Sequence, residues 1–248
     1  MVRCRRATPP VSRPARALRI AVCRANLELR ERGLVVDTFG NVSGLDREAG
    51  VFYIKPSGVG YDQLTPETMV PVALESGAVL EGDLRPSSDT PTHLALYRAF
   101  RCGGIAHCHS EFATAFAQAG RPLPCMGTTH ADSFRGDVPV TRTLSQAEVE
   151  AEYERNTGLV IIERFRDGGL KPLEIPGVLV AHHGPFTWGT DPAAAVEHAA
   201  ILEYLARIEV ARLRIAPDAE RPADYLVDKH WLRKHGADAS YGQPERDP

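Results

Sequence analysis

No run of about 18 apolar residues occurs anywhere in the 248-residue chain, so none has the length of a bilayer span. Excess positive charge is missing too. The 29 Lys and Arg stand against 32 Asp and Glu, a net charge of −3, which argues against a general nucleic-acid binder. Cysteine is sparse and unpatterned: Cys4, Cys23, Cys102, Cys108 and Cys125 show no zinc-finger or Cys-x-x-Cys spacing. They read as free thiols in a reducing cytoplasm rather than as a disulfide framework. The chain also lacks a Gly-x-x-x-x-Gly-Lys-Ser/Thr phosphate loop, internal repeats, low-complexity tracts and clear linkers. What remains, 43% hydrophobic and 25% charged, is the composition of a soluble globular protein long enough for one large domain.

Residues 1–14 read as a disordered basic, proline-bearing extension, and 15–248 as the domain. No apolar h-region follows the arginines, so the extension is not a secretory signal. A helix is expected from Ala15 to Arg32, stopped by Gly33. Strands are expected at Gly40–Leu45, Val51–Ile54, Val70–Leu74 and Ala78–Glu81, too closely spaced for parallel crossovers and therefore antiparallel. Thr90-Pro91 opens a helix to Phe100, followed by a strand Gly104–His109 and a helix Glu111–Ala119. Ser145 and Glu148 form a capping box that starts a helix reaching Asn156. Gly158–Phe165 and Gly177–Ala181 read as buried strands. Thr190-Asp191-Pro192 caps a long helix to Leu213, and a last helix covers Pro222–Lys234. The sum is an α/β domain with a mostly antiparallel or mixed sheet.

Within this frame, His107 and His109 sit two residues apart in an apolar strand context. Alternate side chains share a strand face, so both imidazoles can reach one ion. Two polar residues on a solvated face would look the same, and the pair needs company. Further polar clusters follow, most of them at turns. Gly40-Asn41-Val42-Ser43-Gly44 and Lys55-Pro56-Ser57-Gly58 offer amides, hydroxyls and a charge to an anion, or are plain turns. Ser87-Ser88-Asp89 precedes a helix N-terminus, where Asp89 is either a cap or a carboxylate beside the histidines. Gly127-Thr128-Thr129-His130-Ala131-Asp132 carries an acid/base candidate. His182-His183-Gly184 ends a buried-looking strand, and only one of the two histidines can share an existing site. The tail from Asp228 through His230 to Tyr241 reads either as a solvated helix or as part of the site.

In this order the clusters resemble the class II aldolase and sugar-phosphate epimerase family, from about Leu18 to Gln243. The resemblance implies a three-layer α/β/α domain around a mixed, mainly antiparallel central sheet. It implies a homotetramer with active sites between subunits, so that some residues act across an interface. It implies zinc, with Mn2+ or Co2+ also fitting, on Asp89, His107, His109 and His183. It assigns Gly40, Asn41, Lys55, Ser57, Gly58, Ser87 and Ser88 to sugar-phosphate binding, Asp132 and Tyr241 to acid/base work, and Thr128 and His230 to supporting places. Departures are the N-terminal extension, Cys108 between the two histidines, expected to be a buried apolar residue, and His182 beside the ligand.

Asp89 stands where the family's aldolases typically carry Glu, and these also lack the Asp228-Lys229-His230…Tyr241 tail. Both features imply an epimerase that interconverts L-ribulose 5-phosphate and D-xylulose 5-phosphate in cytoplasmic pentose (L-arabinose) catabolism. The alternative is an aldolase acting on a related ketose phosphate such as L-fuculose 1-phosphate. The chemistry is coherent. An alcohol carbon has no acidic hydrogen, so inversion at C4 requires breaking C3–C4 by a retro-aldol step, turning the aldehyde and re-adding it. A divalent ion stabilises the enediolate, and a two-sided acid/base pair handles the C4 hydroxyl proton.

Overall fold

Short runs of β-formers separated by glycine-marked turns make a strand meander. In the computed structural model, which describes residues 13–236 and 239, they pair as neighbours. β1 (Asn41–Asp46) folds back on β2 (Val51–Ile54) through a turn ending at Gly50, where φ is +65°, and β2 pairs with β3 (Val70–Ala73). The other edge of β1 takes β4 (Gly104–His107). β6 (Pro185–Gly189) then lies between β4 and β5 (Gly177–Leu179), giving the order β3-β2-β1-β4-β6-β5. All pairings between these strands are antiparallel, and a single parallel bridge, Val140 with Leu179, stands beside them. The expected mixed sheet is therefore antiparallel throughout its named strands.

Two helical layers cover the sheet. α1 (Arg13–Glu31) and the first half of α6 (Pro192–Ile215) bury Ala25, Leu29, Ala195, Val196 and Ala199 against Val42 and Ala106. On the other face α2 (Thr90–Ala99) and α5 (Gln146–Asp167) bring Leu96, Tyr97, Ile161 and Phe165 onto Phe52, Ile54, Ile105 and Trp188. Each such large side chain contributes about 1.5–3 kcal/mol on burial. α3 (Glu111–Gln118), α4 (Thr128–Ala131) and α7 (Asp224–His235) complete the α-helices among the described residues. Gly44, Gly104 and Gly189 pair in one row across β1, β4 and β6. A Cβ on Gly104 would lie 2.3 Å from the Asp191 carbonyl, so the bare row lets the start of α6 rest directly on the sheet.

Several boundaries differ from expectation. Gly158–Phe165 is not a strand. It continues the helix that Ser145 caps, whose only non-helical residue is Glu152 (φ −134°, ψ 71°). A buried helix face is as apolar as a strand, and Gly158 fits because a Cβ there would stand 2.8 Å from the Cβ of Ala95 on α2. Ala78–Glu81 makes only a bridge, Val79 with Val72, and leaves Leu80 exposed. β4 stops at His107 because the turn at Gly184 packs against the Cys108 carbonyl, 2.9 Å from where a Cβ would be. The extension expected over 1–14 lies outside the described residues except for Arg13 and Pro14, which open α1.

Candidate metal centre

His107, the last residue of β4, lies flat against Phe186 on the neighbouring strand, with ring centroids 4.1 Å apart and planes at 16°. Its Nδ1–H donates to the Pro185 carbonyl at 2.9 Å, which leaves the Nε2 lone pair facing outward. His109 comes after the strand has ended, so it does not share a pleated face with His107 as the spacing suggests. The bend still brings its Nε2 to 3.1 Å from His107 Nε2. The buried Glu203 of α6 accepts from the Phe112 and Ala113 amides, both at 2.9 Å, and pins the chain just past His109. His183 sits in the turn between β5 and β6. The left-handed φ of +62° at the exposed His182 sends the two adjacent imidazoles apart. One nitrogen from each of His107, His109 and His183 lies within 4.8 Å of the other two. Burial, and then the His109 ring, pushes His107 down to about 3; burial lowers His183 and His109 as well. All three imidazoles are neutral near pH 7, the form that binds a cation.

Asp89 occupies the N-cap position of α2, but its side chain makes no capping bond. It accepts instead from Asn41 Nδ2 at 2.7 Å, and its Oδ2 stands 4.0 Å from His107 Nε2. Asn41 is the residue opposite His107 in the β1–β4 ladder, so strand register places the carboxylate beside the imidazoles. Gly40 precedes it at φ +77°, where a Cβ would stand 2.9 Å from the His107 carbonyl; no larger residue fits. Nitrogens about 2.0–2.1 Å from a tetrahedral zinc ion lie roughly 3.3 Å apart. The 3.1 Å between the two Nε2 atoms suits such an ion, and so does the donor set of neutral imidazoles with one carboxylate.

The same pocket has a second set of polar residues. The loops of Lys55 and Ser87 are tied together by Ser57 N to Arg85 O and Ser87 N to Lys55 O, both at 2.9 Å. Lys55 is 2% exposed, and its ammonium reaches the Thr38 carbonyl at 3.2 Å and lies 5.0 Å from the Tyr61 ring centre. Burial lowers its pKa, with Asp37 opposing. Ser57, Gly58, Ser87 and Ser88 line the same pocket of about 280 Å³, together with Gly40, Asn41, Asp89 and the three histidines.

Thr38, Phe39, Tyr153 and Glu154 also line it and carry no sequence signal. The break at Glu152 brings the last two to the mouth of the pocket, where the Tyr153 hydroxyl is 3.4 Å from His183 Nδ1. Cys108 is buried among apolar residues of the opposite layer, as expected.

Thr128, Asp132 and His230 do not border this pocket; they gather where α4 meets α7. Asp132 Oδ1 takes a 3.0 Å contact from His230 Nδ1, and Arg233 donates to both carboxylate oxygens at 3.1 and 2.6 Å. Burial works to raise this carboxyl, but the Arg233 and His230 hydrogen bonds and the Lys234 charge outweigh it and hold it below its ordinary value. Tyr241 lies outside the described residues.

The chain matches the family described as Class II Aldolase and Adducin N-terminal domain over residues 20–210. It is 51% identical over 227 residues to proteins named L-ribulose-5-phosphate 4-epimerase UlaF from Salmonella paratyphi A and Salmonella typhi, covering 91% of this chain and 98% of each relative. Among solved structures, an L-fuculose 1-phosphate aldolase superposes with a TM-score of 0.72 at 24% identity, over 89% of this chain and 95% of that one. The l-fuculose-1-phosphate aldolase from Thermus thermophilus gives 0.63 at 24% identity, over 83% and 100%. At such identity these two show the shared fold.

Proposed function

The chain belongs to the class II aldolase and adducin N-terminal domain family, and from that premise we propose that it is a zinc-dependent L-ribulose-5-phosphate 4-epimerase. The observation that carries this reading is the convergence of three neutral imidazoles and the Asp89 carboxylate in one pocket with Lys55. The 51% identity to proteins named for that reaction supports the substrate.

Asp89, His107, His109 and His183 would hold the ion, which would supply Lewis-acid stabilisation to negative charge developing on the substrate oxygens. Lys55, the hydroxyls of Ser57, Ser87 and Ser88 and the open backbone at Gly58 hold the phosphate and keep glycolaldehyde phosphate in place while it turns over. Asn41 orients Asp89. Asp132 and Tyr241 take the C4 hydroxyl proton on one face and return a proton on the other, with Thr128 and His230 in supporting roles. Because the Asp132 cluster does not border its own protomer's pocket, the pair serves a neighbouring protomer's pocket within a homotetramer working in the cytoplasm.

Conversion of L-ribulose 5-phosphate to D-xylulose 5-phosphate, followed with and without a chelator and with an assay for free glycolaldehyde phosphate, tests the reading. Chelator-sensitive xylulose 5-phosphate without released aldehyde is expected. Released aldehyde would instead make the protein an aldolase, and absence of turnover on this substrate would overturn the assignment.

A further inference from the structure

Beneath the Asp89 carboxylate, on the same face of the sheet, a second polar network ends in two buried atoms without partners. The Ser43 hydroxyl of β1 lies 2.7 Å from both Tyr97 Oη and His93 Nδ1. Two residues earlier on the same strand face, Asn41 Nδ2 donates to Asp89 Oδ2. Asp89 and His93 are one helical turn apart, joined by the 3.0 Å bond from His93 N–H to the Asp89 carbonyl. β1 and α2 are thus two rails connected by two rungs, Ser43 to His93 and Asn41 to Asp89. The side-chain atoms without partners on these rungs are His93 Nε2 and Asn41 Oδ1. Their residues are 0% and 2% exposed.

Donor strength and charge argue for one direction along this network. An ionised Asp89 only accepts, so Asn41 turns its NH2 towards it and is left with a carbonyl oxygen that needs a donor. A phenol is a better donor than an aliphatic hydroxyl, which favours Tyr97 donating to Ser43 and Ser43 donating to His93 Nδ1 over the reverse chain. The neutral ring then carries its proton on Nε2. One donor, on His93, and one acceptor, on Asn41, remain on residues at diagonal corners of the two rails and two rungs, and a donor with an acceptor is the pairing that a bridging water satisfies.

We propose that one buried water molecule bridges His93 Nε2–H and Asn41 Oδ1. It joins Tyr97, Ser43, His93 and Asn41 into a single hydrogen-bond chain that ends on Asp89, and it makes His93 a positioning residue for that carboxylate. This rests on the reading of Asp89 as a metal ligand. The chain fixes the Asn41 amide and holds Asp89 in one orientation, and outer partners of this kind are worth about 10–100-fold in metal affinity.

The test is Zn2+ affinity of the full-length protein, by chelator competition, in His93→Phe, Asn41→Ala and the double variant, with thermal melts alongside. His93→Phe is expected to weaken Zn2+ binding about 10–100-fold and to lower kcat with little change in KM. In the Asn41→Ala background it is expected to add nothing, which a purely structural role of His93 would not produce. Nitrogen-15 spectra of histidine-labelled parent protein are expected to show a neutral His93 protonated on Nε2, and this measurement decides the matter if the variants do not fold. Unchanged Zn2+ affinity in His93→Phe, additive losses, or a proton on Nδ1 would overturn the proposal. Asp89→Asn separates the two readings. If it binds Zn2+ as the parent does, the ligand assignment fails; if it binds weakly while His93→Phe is silent, only the chain fails.

Discussion

His109 shows how an expected meeting of side chains can come about by a different route from the one the pattern suggests. The sequence pattern pairs it with His107 through strand alternation, yet the strand ends first and a bend brings the imidazoles together. What the pattern carries is the count of donors and their nearness in the chain; the geometry comes from Gly184 crossing Cys108, which no spacing reveals. His109→Asn is expected to lose bound zinc and turnover together, checked by elemental analysis of the dialysed protein; full zinc with full activity would refute the site. Lys55 is legible in the sequence as a charge beside glycine, but its burial is not. Lys55→Met keeps the stem and removes the ammonium, so the fold should persist while KM for the sugar phosphate rises by about 10–100-fold, the worth of a hydrogen bond to a charged group. Steady-state kinetics with a thermal melt reads both effects.

Among the elements, the legible ones have punctuation. Pro91 and Pro192 at helix starts, the Ser145–Glu148 box and the turn glycines set boundaries that the structure keeps within a residue or two. The pattern divides α5 because Leu159-Val160-Ile161-Ile162 is apolar on all sides, and it hides β6 because Pro185 and Gly189 bound that segment like a loop; proline is tolerated as a strand's first residue. The glycine row makes a sharp test. Gly104→Ala drives a methyl into the Asp191 backbone and should cost about 1–3 kcal/mol or more in urea denaturation. The junction of α4 with α7 is acid-sensitive in a definite direction. The Asp132 pKa is lowered in the fold, so its contribution is present above the ordinary carboxylate value of about 4 and is lost as pH falls through the depressed value. Fluorescence of Trp231, buried and stacked on His235, should report α7 loosening in that window, and Asp132→Asn should flatten the response.

Among the described residues the candidate site side chains fall into two groups, the imidazole pocket and the Asp132 cluster, and the sequence does not show that they are separate. If one protomer's pocket is served by another's acid/base pair, mixing two inactive variants restores function. Tyr241→Phe alone should slow epimerisation by roughly 10²–10⁴-fold. Refolded together with His109→Asn, it should recover part of the parent rate, because some mixed pockets then hold intact partners from both chains. No recovery would place all the machinery within one protomer. Synthesis imposes an order of its own on the pocket. His107 precedes the Pro185 carbonyl that orients it by 78 residues, roughly 4–16 s of translation at about 5–20 residues per second. Through that interval the nascent chain displays two imidazoles with neither the third nor the strand that steadies the first. On the proposed ligand set, Asp89, His107 and His109 are all made before His183, and tight capture of an ion would await the closing of the sheet that brings the fourth ligand in.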